Sequence, residues 1–240
     1  MRPIERGASP IQGDFTNYRD AFPELMSRLG PYCSYCERRM PTNLAVEHIQ
    51  PKDPNMYPDL IGRWDNYVLG CVNCNGTKTN KDVRLDQTFL PDRDNTFHAF
   101  VYTADGAVSP NSELLPDDST VATATLALPG LDKAISEVFN QNGQLVAIDR
   151  VGQRMEVWLI AEESKSDLAS NRTEPMRRQI SRTALAFGFF SIWMTVFQDD
   201  PEMRRLFIDD FPGTSPDCFD DQGTPVSPRP ANDLAHSGKI

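Results

Sequence analysis

The sequence predicts an α+β fold in which a small cysteine-bound module is embedded in a mainly helical chain. Three observations carry that expectation. Two C-x-x-C pairs, Cys33/Cys36 and Cys71/Cys74, bracket residues 37–70. The segment between them offers extended chain at Leu44–Val46 and a second strand or loop at Trp64–Leu69. From Glu174 to Asp210, by contrast, apolar residues recur at helical spacing.

Taken in chain order, Tyr18–Leu29 places Ala21, Phe22, Leu25, Met26 and Leu29 on one helical face, and Pro31 ends it. Phe97–Tyr102 alternates and is followed by Asp105-Gly106, a strand and turn. Pro110–Asp118 is proline-rich and acidic, and reads as a loop. Ser119–Asn140 and Leu145–Ser164 are expected to be helices. Arg177, Arg178 and Arg182 precede the apolar run Ala184–Phe197, and Asp200-Pro201 restarts a further helix. After Pro212 the chain is rich in Pro, Gly, Ser and Asp, a composition poor in core-forming residues. The expected organisation is an N-terminal helical arm (1–30), a metal-bound module (31–95), a mainly helical region (96–212) and a flexible tail (213–240).

The chain has 240 residues, with 39% hydrophobic and 24% charged residues, as in a soluble globular protein. Its longest apolar stretch, Ala184–Phe197, is too short to cross a bilayer. No signal-peptide pattern opens the sequence, so a cytoplasmic location is expected. In such a setting five cysteines do not form a disulfide framework. The formal net charge of −10 argues against tight autonomous binding to nucleic acid.

Two C-x-x-C turns present four thiolates, enough to close a tetrahedral shell around Zn²⁺ with no open position. Such zinc is structural and leaves the chemistry to other residues. Cys218 stands alone and reads as a buried thiol.

Inside the zinc frame lie Glu47-His48 and, further on, Asn66, Asn75 and Lys78. A carboxylate beside an imidazole, with a convergent amide, is suited to phosphodiester hydrolysis. Hard oxygen ligands hold Mg²⁺, and a neutral imidazole takes a proton from water. His98 and His236 lie outside this constellation.

The run Cys33-x-x-Cys36, Glu47-His48, Asn66, Cys71-x-x-Cys74-Asn75-x-x-Lys78 resembles the HNH endonuclease family over residues 31–82. The resemblance implies a ββα-metal fold: a β-hairpin and a helix that clasp one catalytic metal, Mg²⁺ or Mn²⁺. Residue by residue, it implies that Glu47 and Asn75 are metal ligands and His48 is the general base. Asn66 would fix the loop and orient the base, and Lys78 would contact phosphate. Glu47 departs from the commoner Asp or His, which adds a methylene between backbone and metal. The expected substrate is DNA.

More loosely, Met1–Ile4, the Tyr32–Glu37 knuckle and the helical C-terminal half resemble the HNH subunits of Septu-type antiphage systems. Those subunits work beside an ATPase of the ABC/SMC class, which implies a second protein as partner here. Two other readings stay open: a catalytically silent zinc-bound adaptor, and an RNase on the same scaffold.

Overall fold

The computed structural model describes residues 1–134, 137–139, 145–148 and 150–240, with side chains described for 1–134 and 150–240. The element order is α1 (Phe22–Leu29), β1 (Leu44–His48), β2 (Tyr67–Cys71), α2 (Val72–Lys78), α3 (Thr96–Ala99), β3 (Phe100–Tyr102), β4 (Val108–Pro110), α4 (Pro116–Ala127), β5 (Glu137–Phe139), β6 (Leu145–Ile148), α5 (Arg150–Ser170), α6 (Glu174–Phe187), α7 (Phe190–Val196) and α8 (Pro201–Asp210). The strands pair into three two-stranded antiparallel sheets, β1–β2, β3–β4 and β5–β6. Short sheets among many helices are the α+β arrangement that the sequence predicts.

The site is built on the β1–β2 hairpin and α2. In register, Leu44 faces Cys71, Ala45 faces Gly70, Glu47 faces Val68 and His48 faces Tyr67. All five residues of β2 are buried, since the strand is covered on both faces and therefore shows no polar alternation. Phe15 covers it from one side, with ring centroids 6.1 Å from Trp64 and 6.0 Å from Tyr67. Arg6 donates from Nη1 to the Tyr67 carbonyl at 2.6 Å. The N-terminal arm is thereby laid across the hairpin, and Tyr18 is brought to its His48 end.

The helical frame packs through aromatic side chains. Trp193, Phe197 and Phe207 are fully buried and lie 5.4 to 6.4 Å apart by ring centroid. Burying each such side chain contributes about 1.5–3 kcal/mol. The apolar run expected as one helix is broken at Gly188 and Phe189, both with positive φ, at 79° and 57°. The break has a steric cause. A Cβ at position 188 would lie 2.7 Å from both the Glu37 carbonyl oxygen and the Arg39 nitrogen. Only glycine lets α6 end against the first cysteine turn, where the Phe189 N–H then donates to the Glu37 carbonyl at 3.0 Å.

Several expected elements differ in detail. The helix expected from Tyr18 starts as a single 3-10 turn and becomes α-helical at Phe22. It ends at Gly30, whose φ of 71° lets its N–H reach the Met26 carbonyl. The helix expected over Ser119–Asn140 begins earlier, at Pro116 with Asp117 and Asp118 in its first turn, and stops at Ala127. Residues 137–139 are a strand, and positions 135, 136 and 140 lie outside the described residues. Likewise 145–148 is a strand, and the helix expected from Leu145 runs from Arg150 to Ser170. Short apolar runs of this kind suit either state, and pairing decides. The strand expected over Phe97–Tyr102 begins at Phe100, because the Asn95 side chain caps a helical turn at Thr96–Ala99.

The segment 213–240, expected as a flexible tail, packs instead. Its Arg229 bonds the Ser215 hydroxyl at 2.9 Å, and Lys239 pairs with the buried Asp94 at 2.9 Å. Asn95 donates to the Cys218 and Val226 carbonyls at 2.7 Å each. A few well-placed anchors satisfy the backbone of a segment whose composition alone lacks core-forming residues.

Candidate active site and cysteine cluster

The four thiols of Cys33, Cys36, Cys71 and Cys74 are buried and lie within 4.8 Å of one another, a cluster that could hold a metal ion. Among the described residues it is the one such group. The thiol set and its tetrahedral number match structural zinc. The four are coupled. Hydrogen bonds from Cys33 first, then from the other thiols, hold Cys71 far below the ordinary thiol value, while burial drives Cys33 well above it. Two cations approach the sulfurs. Arg38 lies 3.7 Å from Cys71 Sγ, and Arg150, the first residue of α5, lies 3.3 Å from Cys74 Sγ. Each offsets part of the negative charge that a tetrathiolate zinc shell would carry. Arg150 belongs to the helical region and gave no signal in the sequence.

His48 ends β1 and is 6% exposed. Its Nε2 lies 3.0 Å from the Ile61 carbonyl oxygen. A carbonyl can only accept, so the proton sits on Nε2 and Nδ1 keeps its lone pair. The Tyr67 hydroxyl donates to the same carbonyl at 2.6 Å. Tyr18 and Tyr67 pack edge-on against the imidazole at centroid distances of 4.8 and 5.0 Å. Burial lowers the His48 pKa below 6.5, against the raising effect of the Ile61 bond. The ring is therefore neutral at neutral pH, as a proton acceptor must be.

Asn66 sits in the 3-10 turn before β2 and clamps the loop around His48. Its Oδ1 accepts from the Gln50 N–H at 2.8 Å, and its Nδ2 donates to the Gln50 and Leu60 carbonyls at 3.0 and 3.2 Å. Gln50 lies two residues after the imidazole and Leu60 one residue before the carbonyl that holds it. One side chain thus sets the spacing of both ends of the His48–Ile61 bond.

Glu47 is buried on the same strand, where burial raises its pKa and the charge of Lys78 opposes the rise. Lys78, from the last turn of α2, is only 1% exposed. Its Nζ lies 3.0 Å from Glu47 Oε1 and donates to the His48 carbonyl at 2.7 Å. The sequence reading gave Lys78 a contact to phosphate. The structure buries its ammonium between the Glu47 carboxylate and the His48 carbonyl, where it orients Glu47. Asn75 falls in the second turn of α2, which begins at Val72 rather than at Asn75 as expected. Among the described residues its carboxamide makes no hydrogen bond, and it lines the same cleft as Glu47 and His48. Gly70, across from Ala45, leaves room for Glu47, since a Cβ there would come within 2.8 Å of Glu47 Cβ.

The cleft has a volume of about 510 Å³ and is lined by the ends of β1 and α2 together with Tyr18, Arg19 and Lys52. Glu47, His48, Asn75 and Lys78 thus share one cleft, with Asn66 beneath it as a brace. Sequence reasoning missed Tyr18 and Arg19, whose place depends on the arm folding back over the hairpin.

Comparison with known proteins agrees with this geometry. Residues 33–81 match the family model described as HNH endonuclease. Over 62 residues the chain is 37% identical to the Septu protein PtuB of Bacillus thuringiensis, a match that covers 25% of this chain and 23% of that protein. The chain thus spans less than a quarter of the length of that curated relative. Hairpin, helix, cysteine cluster and matched sequence coincide in one segment, and residues 33–81 form a domain of the HNH endonuclease family.

Proposed function

We propose that the chain is a metal-dependent endonuclease that hydrolyses phosphodiester bonds in DNA. The observation that carries this reading is the His48 imidazole. Its proton is held on Nε2 by the Ile61 carbonyl, and its Nδ1 has no partner among the described residues. A buried neutral imidazole with a free lone pair beside a carboxylate in an open cleft is equipped to deprotonate water.

The donor set fits a hard divalent cation. Glu47 offers a carboxylate and Asn75 an uncommitted carboxamide oxygen in the same cleft. These two residues would hold Mg²⁺ or Mn²⁺, which when bound supplies charge stabilisation for the phosphorane and the departing oxygen. His48 accepts the proton of the attacking water. Asn66 and Tyr67 keep the imidazole on its carbonyl anchor, and Lys78 keeps Glu47 turned toward the cleft.

The likeness to a Septu protein supports a role in antiphage defence, beside a second subunit that we take to be an ATPase of the ABC/SMC class. The charge supports dependence on such a partner. Between Cys33 and Arg93, eight basic residues are balanced by eight acidic ones, in a chain of net −10. The isolated protein then binds DNA weakly at physiological salt.

The test is cleavage of plasmid, single-stranded DNA and RNA with Mg²⁺ or Mn²⁺, wild type beside His48→Ala. DNA cleavage lost in the variant supports the reading. RNA cleavage alone moves the substrate class, and no cleavage by either protein, with or without the partner, leaves a zinc-bound adaptor.

A further inference from the structure

Arg19 and Lys52 sit at the mouth of the cleft and carry its charge. Among the residues that line it, Arg19, Lys52 and Lys78 are basic and Glu47 alone is acidic, and Glu47 is already paired with Lys78. The cleft therefore has the opposite sign to the chain as a whole. A second cleft of similar size, beside Trp64, has five carboxylates, Glu5, Asp14, Asp65, Asp92 and Asp233, against two guanidinium groups, Arg6 and Arg63. Several basic side chains near the domain are neutralised: Arg6 and Arg93 by Asp92, Arg28 by Glu24, Arg63 by Asp14 and Asp65. Among the described residues, neither Arg19 nor Lys52 has a carboxylate partner.

Lys52 is also held in place. Its Nζ donates to the Tyr18 hydroxyl at 2.9 Å and stands 4.5 Å from the centroid of the same ring. The Arg19 guanidinium lies 5.7 Å from that centroid, and the His48 ring centroid lies 4.8 Å from it. An exposed lysine normally samples many rotamers, whereas this one is held on Tyr18, and among the described residues its Nζ makes no other hydrogen bond. One tyrosine thus ties two unpaired cations to the imidazole.

We propose that Arg19 and Lys52, anchored on Tyr18, grip a backbone phosphate of the DNA strand next to the scissile one. Tyr18 and Arg19 lie outside the segment that matches the HNH family model, so the N-terminal arm supplies substrate binding. The grip rests on the nuclease reading for its purpose but is measured without cleavage.

The experiment uses the full chain at low salt with EDTA, and follows anisotropy of a fluorescent DNA oligonucleotide. Each phosphate contact contributes about 0.7–0.9 to the slope of log affinity against log salt. The Arg19→Ala/Lys52→Ala protein, its fold checked by zinc content and melting, should lose about 0.7–0.9 from that slope, the share of one phosphate. With Mn²⁺ present, its KM for the oligonucleotide should rise about tenfold, the loss of one charge-assisted contact. Hydrolysis of bis(p-nitrophenyl) phosphate, which has no flanking phosphate, should suffer at least about fivefold less. An unchanged slope and KM, equal penalties on both substrates, or a wild-type protein that binds no oligonucleotide would overturn the grip. An RNA arm with the same slope change extends it to either strand type. Wild-type protein that binds with this salt signature yet hydrolyses neither substrate keeps the grip and removes the nuclease reading.

Discussion

The Lys78 ammonium stands 3.0 Å from the Glu47 carboxylate, and both groups are almost wholly removed from solvent. Removing one partner of such a pair leaves an unpaired buried charge and costs about 3–5 kcal/mol. Lys78→Met should therefore melt well below wild type without divalent ions. Mn²⁺ should narrow the gap, since a bound cation replaces the lost ammonium beside Glu47. Thermal melts with and without Mn²⁺ decide it: equal melting points, or a gap that ignores the metal, would mean that the pair does not hold Glu47.

His48→Ala should leave zinc content and melting close to wild type and lower cleavage about 10²–10⁴-fold. The acid side of the pH–rate profile is set by burial. The folded-state pKa lies below 6.5, so the proton-accepting form persists to lower pH than in a free histidine, and the rate falls only below 6.5. The same sign holds for stability. The unfolded chain takes up the proton first, so the His48 contribution is full above pH 6.5 and is lost as pH falls through the depressed value. A rate profile with its acid midpoint above 6.5 would contradict this.

Asn66→Ala breaks three hydrogen bonds that space the His48–Ile61 anchor. A displacement of the base by about 1 Å costs on the order of 10²-fold in rate. The expected result is a fall in kcat with little change in KM, together with about 1–3 kcal/mol of lost stability from the orphaned backbone groups. A rise in KM alone would place Asn66 in substrate binding instead.

Gly70→Ala tests packing behind the carboxylate. The added methyl would come within 2.8 Å of Glu47 Cβ, and β1 cannot give way without losing its pairing to β2. Overpacking of this kind costs about 1–3 kcal/mol. Cleavage should drop and its Mn²⁺ requirement rise, while zinc stays bound. Wild-type metal dependence in this variant would show that Glu47 is free to shift.

Serine at any one of Cys33, Cys36, Cys71 or Cys74 should release zinc and unfold the hairpin and α2, because structural zinc contributes about 10 kcal/mol or more of folding free energy. Elemental analysis and circular dichroism read both effects. Freshly purified wild-type protein without zinc would refute the assignment of the cluster.

The parts of this site that the sequence shows are those encoded by short spacing. Each C-x-x-C turn fixes its own geometry, and Glu47-His48 and Asn66 act within a loop of about twenty residues, so their grouping follows from order along the chain. The pairing of Lys78 with Glu47 was not legible, because its orientation comes from α2, which turns it back against β1 thirty-one residues away. Tyr18, Arg19 and Arg150 were invisible for the same reason, as each reaches the domain from an element that must first fold against it. The helix boundaries beyond residue 115 were the least legible, since segments such as 137–139 and 145–148 become strands only by pairing with each other.

Glu37, the residue after the first cysteine turn, ties the domain to the rest of the chain. Its carboxylate accepts from the Ser191 N–H at 2.8 Å, the Ser191 hydroxyl at 2.6 Å and the Tyr102 hydroxyl at 3.2 Å, and every one of these donors lies beyond residue 95. Arg150 makes the matching connection at the second turn. A fragment trimmed to residues 33–81 would open the Glu37 carboxylate to water and strip a guanidinium from its sulfur. The segment that matches the family model is thus smaller than the set of residues that satisfies its buried groups, and its two cysteine turns are held from outside it.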